Sequence, residues 1–114
     1  MKTLRIPLRI VFYQEDGDWI AHCLEFDLMG DGATPENALA SLSTAIHIQI
    51  EQAIKHGNPR NLFSPADGEY FRRFAEGTDI AVGQLEISAD SIVIEGTQSR
   101  AYRQAAQDPQ LAPA

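Results

Sequence analysis

The chain has 114 residues, of which nine are Lys or Arg and 16 are Asp or Glu, and its formal net charge is −7. This length fits one domain, and an apolar content of 44% is too high for a disordered acidic segment. The apolar runs are much shorter than the roughly 20 residues of a membrane span, and the N-terminus lacks the apolar run of a signal peptide, so we expect a cytoplasmic protein without membrane contact.

The first predicted element is a strand over residues 4–13, whose even-numbered positions are all apolar. Pro7 has no backbone N–H, so it is expected at a sheet edge or with its nitrogen turned away from a partner strand. Asp16-Gly17 is a preferred centre for a type I′ turn, and residues 19–26 are predicted to return as a second strand.

A two-residue loop at Asp16-Gly17 sets the register of this hairpin. It pairs Tyr13 with Ile20, Val11 with His22 and Ile10 with Cys23. Both faces of the predicted hairpin are then partly apolar. One face carries Ile10, Phe12, Ala21 and Cys23, and the other carries Val11, Tyr13, Ile20 and Leu24. Because a half-solvated sheet would alternate more cleanly, we expect another element or another subunit to cover the second face.

A long amphipathic helix is predicted over residues 35–56. Thr34 is a favoured N-cap, Pro35 suits the first helical position, and Gly57 suits the C-terminal end. One apolar stripe recurs at three- and four-residue steps: Ala38, Leu39, Leu42, Ala45, Ile46, Ile50, Ala53 and Ile54.

The second half of the sequence is less regular. Residues 58–68 are predicted to form a loop and residues 69–76 a short helix, while 81–87 and 91–95 are predicted to form short strands joined at Ser88-Ala89-Asp90. We expect a flexible C-terminal tail over residues 97–114. The remainder, 1–96, is predicted to be one domain with a core at 4–57 and a less regular part at 58–96.

The predicted fold class is therefore α+β. Its elements follow the order β-β-β-α-β, with a small antiparallel sheet of three to five strands and one long amphipathic helix packed on one face.

Two segments of the sequence resemble the HicB-like antitoxin family. Residues 11–21, Val-Phe-Tyr-Gln-Glu-Asp-Gly-Asp-Trp-Ile-Ala, are similar to the family's strand, acidic Asp-Gly turn and Trp-containing strand. Residues 32–39, Gly-Ala-Thr-Pro-Glu-Asn-Ala-Leu, are similar to the segment that opens the family's helix. The resemblance covers roughly residues 6–56.

The resemblance implies a degenerate ribonuclease H-like fold and a non-enzymatic role as the antitoxin of a HicA/HicB-type toxin–antitoxin pair. The partner would be a small basic ribonuclease toxin, which this acidic chain would neutralise. The alternative is an orphan HicB-like module that self-associates and serves a structural or regulatory role without a toxin. In either case we expect a homo-oligomer, a dimer or larger.

Many members of this family carry a DNA-binding segment after the helix. Here no basic recognition helix follows Gly57, and Arg72 and Arg73 lie on a short aromatic segment of an acidic protein. Direct DNA binding by this chain is therefore not expected.

We expect no catalytic, cofactor-binding or metal-binding residues. Ribonuclease H chemistry needs several carboxylates around Mg²⁺, and the candidates are Asp16, Asp18, Glu25, Asp27 and Asp31. A turn and a solvated sheet edge explain these charges equally well, and the expected core face of the first strand carries Ile10 and Phe12 instead of a carboxylate. A divergent metal-dependent nuclease is the weakest of the three functional hypotheses.

Four further side chains are candidates for a functional role: Cys23, His22, His47 and Trp19. Cys23, the only cysteine, excludes an internal disulfide and is expected to be a small buried hydrophobe. His22 and His47 have no recognisable metal spacing, although a strand and a helix can bring them together. Trp19 either contacts a partner or packs across the hairpin.

Overall fold

The structure, a computed structural model, describes residues 3–103. Its strands are β1 (Leu4–Ile6), β2 (Arg9–Glu15), β3 (Asp18–Cys23), β4 (Leu28–Gly32), β5 (Thr78–Asp79), β6 (Ile87–Ala89), β7 (Ile92–Ile94) and β8 (Gln98–Ala101). Its helices are α1 (Pro35–Lys55), a short 3₁₀ helix (Pro59–Leu62) and α2 (Gly68–Glu76). The predicted α+β class is confirmed, and α1 packs on the sheet as expected.

The β2–β3 hairpin has the register that the Asp-Gly turn predicts. Tyr13 lies opposite Ile20 and Val11 lies opposite His22. Asp16 and Gly17 both have positive φ angles, 53° and 85°, as a type I′ turn requires. The prediction of which residues share each face is therefore confirmed.

The predicted strand over residues 4–13 is broken in two at Pro7. β1 pairs in parallel with β7 in a three-stranded sheet of order β1-β7-β6, whereas β2 belongs to a five-stranded sheet of order β4-β3-β2-β8-β5. Pro7 cannot donate to a ladder, so the chain changes sheets at this residue. The single antiparallel sheet expected from the sequence is thus two sheets, each of which contains one parallel pair.

The C-terminal segment corrects the prediction of a tail that begins at residue 97. β8 lies between β2 and β5 in the larger sheet, and the Tyr102 N–H donates to the carbonyl of Phe12. Backbone hydrogen bonds to the free side of β2 order this polar segment, which has little apolar pattern of its own. The rest of the predicted tail, residues 104–114, lies outside the described residues.

The predicted hairpin near Ser88 is present but shorter than expected. β6 begins only at Ile87, where strand was predicted from residue 81, and the turn contains Asp90 with a φ angle of 57°. β6 and β7 pair as antiparallel strands, with Ile87 opposite Ile94.

Helix α1 begins and ends close to its predicted limits. The Thr34 hydroxyl accepts a hydrogen bond from the Asn37 N–H at 3.1 Å, and Gly57 has a left-handed φ of 64° after the last turn. The buried residues of α1 are Ala38, Leu39, Leu42, Ile46, Ile50 and Ala53. They pack on the sheet face that carries Ile10, Phe12, Ala21 and Cys23.

Helix α2 covers part of the opposite sheet face, where the sequence predicted that some element or subunit must pack. Its Tyr70, Phe71 and Phe74 lie against Val11 and Tyr13 of β2. The short helix predicted over residues 69–76 is therefore confirmed, and it completes a second apolar cluster.

Across residues 3–103, no helix combines the length and the apolar character that a membrane crossing requires.

Candidate functional site

A buried polar network lies on the α2 side of the five-stranded sheet. The Tyr13 hydroxyl is 2.9 Å from His22 Nδ1, and His22 Nε2 is 2.7 Å from Asp27 Oδ1. Only 1% of the His22 surface is exposed. An imidazole with its proton on Nε2 satisfies both contacts, because the hydroxyl then donates to Nδ1 and Nε2–H donates to the carboxylate.

The sequence indicated only part of this network. The hairpin register placed Tyr13 and His22 on neighbouring strands, but it gave no reason to join Asp27 to them. Asp27 has a φ angle of 53°, and this left-handed conformation in the β3–β4 turn accompanies the contact of its carboxylate with His22. Asp followed by Leu-Met-Gly is too ordinary a pattern to signal that bond.

Helix α2 seals the network with aromatic and cationic contacts. Tyr70 stacks on Tyr13 at a centroid distance of 5.9 Å and lies 4.4 Å from the His22 ring. The Arg73 guanidinium lies 4.8 Å from the Tyr13 ring centroid and 5.1 Å from that of Tyr70. Arg73 therefore contributes cation–π packing that holds α2 on the sheet.

The Cys23 thiol and the Tyr13 hydroxyl are poorly suited to act as nucleophiles. Burial raises the pKa of the Cys23 thiol to about 12, and burial also raises the pKa of the Tyr13 hydroxyl far above its usual range. Cys23 packs as a small core residue on the α1 side of the sheet. Low dielectric surroundings disfavour the charged form of both groups.

Stability is expected to fall as the pH rises above about 9. Cys23 and Tyr13 ionise near 9.0 and 10.0 in an unfolded chain, whereas burial raises both pKa values in the folded chain. The unfolded state therefore loses protons first. Each group contributes full stability below its unfolded pKa, and the free energy of unfolding then declines by up to about 1.4 kcal/mol per pH unit for each group.

Urea unfolding measured from neutral to alkaline pH tests this expectation. Cys23→Ala removes one of the two groups, so its stability should decline less steeply between pH 9.0 and about 12 than that of the original chain. Identical slopes for the two proteins would show that the Cys23 thiol ionises equally well in the folded state.

Two of the carboxylates considered for metal binding, those of Glu25 and Asp27, bond to different side chains instead of converging on one point. Glu25 accepts hydrogen bonds from the Arg9 N–H and guanidinium at 2.8 and 2.7 Å, while Asp27 bonds to His22. In the part of the chain that the structure describes, no group of three His, Cys, Asp or Glu side chains is placed to hold a metal ion. His22 faces α2 and His47 lies on α1, so the sheet separates these two histidines.

Part of this sheet face lies beyond α2 and combines apolar with acidic side chains. Side chains alternate along a strand, so Met29 and Asp31 of β4 share the face of Tyr13 and His22, as do Glu15 and Asp18 around the hairpin turn. We define the acidic–apolar surface as six residues on this face: Glu15, Asp18, Ile20, Asp27, Met29 and Asp31.

The acidic–apolar surface is accessible and carries net negative charge. Met29 lies at the centre of this surface and is 54% exposed, and Ile20 beside it is half-buried. Within residues 3–103, Glu15, Asp18 and Asp31 form no ion pair, and Asp27 pairs only with His22. This arrangement suits a partner that has both an apolar contact and positive charge.

Trp19 is not part of this surface. It lies opposite Gln14 in the hairpin and opposite Gly32 on β4, and its half-buried side chain packs on the core on the α1 side of the sheet. This packing accounts for Trp19 without a partner.

Comparison of the chain with protein-family models, with curated proteins and with solved structures finds no match.

Proposed function

We propose that this chain is a non-enzymatic, cytoplasmic protein-binding module of the HicB-like antitoxin type, which neutralises a small basic ribonuclease toxin. The observation that carries the proposal is the acidic–apolar surface, in a chain whose formal net charge is −7. The order β2-β3-β4-α1, which is followed by the strands β5 and β8 of the same sheet, also supports it because it begins with the β-β-β-α order that the sequence resemblance implies.

The composition of the surface favours a protein partner over nucleic acid. Four carboxylates, those of Glu15, Asp18, Asp27 and Asp31, would repel a phosphate backbone. The same charges would speed the encounter with a basic protein, while Ile20 and Met29 supply the apolar centre that protein interfaces use.

Recovery of the tagged chain from its own host, followed by mass spectrometry, tests the proposal directly. We expect a small basic protein in roughly stoichiometric amount, and the RNA cleavage activity of that protein should disappear when the chain is added back. Recovery of the chain with no such protein would contradict the antitoxin role.

Neutralising the surface should slow the capture of the basic partner. The triple variant Glu15→Gln, Asp18→Asn, Asp31→Asn removes three exposed carboxylates, and we expect its association rate at low salt to fall about tenfold or more, because electrostatic steering governs such rates. Stopped-flow binding at several ionic strengths measures the effect, and the rates of the variant and the original chain should converge at high salt.

A matched control keeps the same net charge change but places it elsewhere. The variant Glu51→Gln, Glu86→Gln, Asp90→Asn alters three exposed carboxylates on α1 and near the small sheet. Equal slowing by both triple variants would mean that total charge matters and that the acidic–apolar surface has no special role.

The alternative is an orphan HicB-like module that self-associates and has no toxin partner. Exposed apolar side chains on α1 and after the 3₁₀ helix favour it, namely Ile48 at 55%, Ile54 at 37% and Phe63 at 47% exposure. Light scattering over a range of concentrations should then show a dimer or larger assembly, and a monomer at every concentration would exclude this alternative.

A further inference from the structure

Strand β4 is an edge of the five-stranded sheet, and the hairpin register shows which of its backbone groups point outward. Around a two-residue turn the flanking pair, Glu15 and Asp18, exchanges both hydrogen bonds. The donation from the Leu24 N–H to the Arg9 carbonyl confirms this alternation along β3. The intervening residues Trp19, Ala21 and Cys23 therefore direct their backbone groups toward β4.

Three residues of β4 use their backbone groups to pair with β3, and the backbone groups of the two residues between them do not. Leu28, Gly30 and Gly32 lie opposite those three residues of β3 and share their hydrogen bonds. The N–H and C=O groups of Met29 and Asp31 consequently point away from β3, and within residues 3–103 no other strand pairs with β4. This edge is a template for one additional strand.

Three features that commonly prevent strand addition, namely proline, lysine and a β-bulge, are missing from this edge. Residues 28–32 contain no proline and no lysine, and their register with β3 runs without a bulge. Close packing of Gly30 on the α1 backbone holds the strand rigid from behind. The opposite edge of the sheet, β5, is only two residues long.

We propose that an extended, basic segment of the partner protein adds to the β4 edge as a sixth strand. This inference rests on the proposed function and identifies how the partner docks. The free backbone groups of Met29 and Asp31 carry the pairing. Side chains of the added strand that lie beside Met29 and Asp31 share the face of the acidic–apolar surface, so Lys or Arg at these alternate positions would meet its carboxylates.

Charge distinguishes this occupant from a second copy of the chain. Antiparallel pairing of two β4 edges would join the sheets so that both acidic–apolar surfaces lie side by side on one face. The carboxylates of Asp27 and Asp31 would then approach their counterparts, and like charges across a strand pair are destabilising. A basic strand at the same edge would instead attract these carboxylates.

Amide exchange of the full chain measures strand addition directly. The probe is a short acetylated peptide of alternating Lys and Val, and the control is the corresponding Glu and Val peptide. On binding of the Lys peptide, the N–H groups of Met29 and Asp31 should exchange about tenfold or more slowly, because each becomes hydrogen-bonded. The N–H of Gly83, in the loop before β6, should be unchanged.

A proline variant separates the backbone contribution from that of the side chain. Met29→Ala removes the side chain alone, whereas Met29→Pro also removes the outward N–H and leaves the ladder to β3 intact. We expect the proline variant to bind the Lys peptide about three- to tenfold more weakly than the alanine variant, as the loss of one hydrogen bond requires. Circular dichroism establishes that both variants are folded, and the exchange experiment on the original chain needs neither of them.

Each result decides between distinct conclusions. Binding of the Lys peptide without slower exchange at Met29 and Asp31, or no binding of this peptide, would overturn strand addition. Slower exchange that appears in the free protein as its concentration rises would instead assign the edge to a second copy. Co-purification of a basic toxin that leaves both amides exchanging freely would preserve the proposed function and refute this docking mode. Pairing of the Lys peptide with β4, when no toxin is recovered from the host, would preserve strand addition and contradict the antitoxin role.

Discussion

Gly30→Ala is expected to destabilise the protein by about 3 kcal/mol, the upper part of the usual range for overpacking a core. A Cβ atom at position 30 would collide with the backbone nitrogen of Leu42 and would lie 2.5 Å from the Ala38 carbonyl oxygen. Both obstacles belong to the helix backbone and cannot rotate away, so α1 must move off β4. Such a shift would loosen the largest helix–sheet contact of the fold.

Urea or thermal unfolding followed by circular dichroism measures this loss, and Gly68→Ala is the matched control. Position 68 begins α2, and a Cβ atom there meets nothing within 4 Å. The control should be neutral or slightly more stable, because alanine restricts the unfolded chain. Equal stability of Gly30→Ala and the original chain would show that α1 does not press on β4 as closely as described.

Tyr13→Phe is expected to cost about 1–3 kcal/mol of stability at neutral pH, since it removes the only hydroxyl that contacts His22 Nδ1 among the described residues. The imidazole is almost completely buried, so Nδ1 would lose its partner in surroundings that give it little access to water. The phenylalanine ring retains the stacking on Tyr70, which confines the change to the contacts of the hydroxyl with His22 Nδ1 and with the Met29 sulfur.

Tyr70→Phe separates the effect of the hydroxyl from that of the ring. Within residues 3–103 the structure gives the Tyr70 hydroxyl no hydrogen bond, while its ring contacts both Tyr13 and His22. We expect this variant to change the free energy of unfolding by less than about 0.5 kcal/mol, as for most substitutions outside such features. Comparable losses in the two variants would mean that the Tyr13–His22 bond adds nothing beyond general aromatic packing.

The β2–β3 turn and the ends of α1 could be predicted because each depends on residues that are close together in the sequence. Asp16-Gly17 adopts the two positive φ angles of a type I′ turn, and that turn alone determines the pairing of Tyr13 with Ile20. Thr34 and Gly57 likewise define the ends of α1 through short-range hydrogen bonds and a left-handed cap.

The candidate site was only partly predictable because its members meet across the chain. The register placed Tyr13 and His22 on one face, but Tyr70 and Arg73 reach them from a helix more than 40 residues away. Exposure of Met29 depends on where α2 stops covering the sheet, and no local pattern encodes that boundary.

The α+β class, the β2–β3 hairpin, α1 and the short helix α2 could all be predicted from local patterns, because periodicity, turn residues and capping residues act over a few positions. Long-range pairing, by contrast, makes the chain change sheets at Pro7 and places residues 98–101 as a strand between β2 and β5. The physical reason is that a polar strand such as β8 is ordered by backbone hydrogen bonds to a distant edge, which leave no mark on its own side-chain pattern.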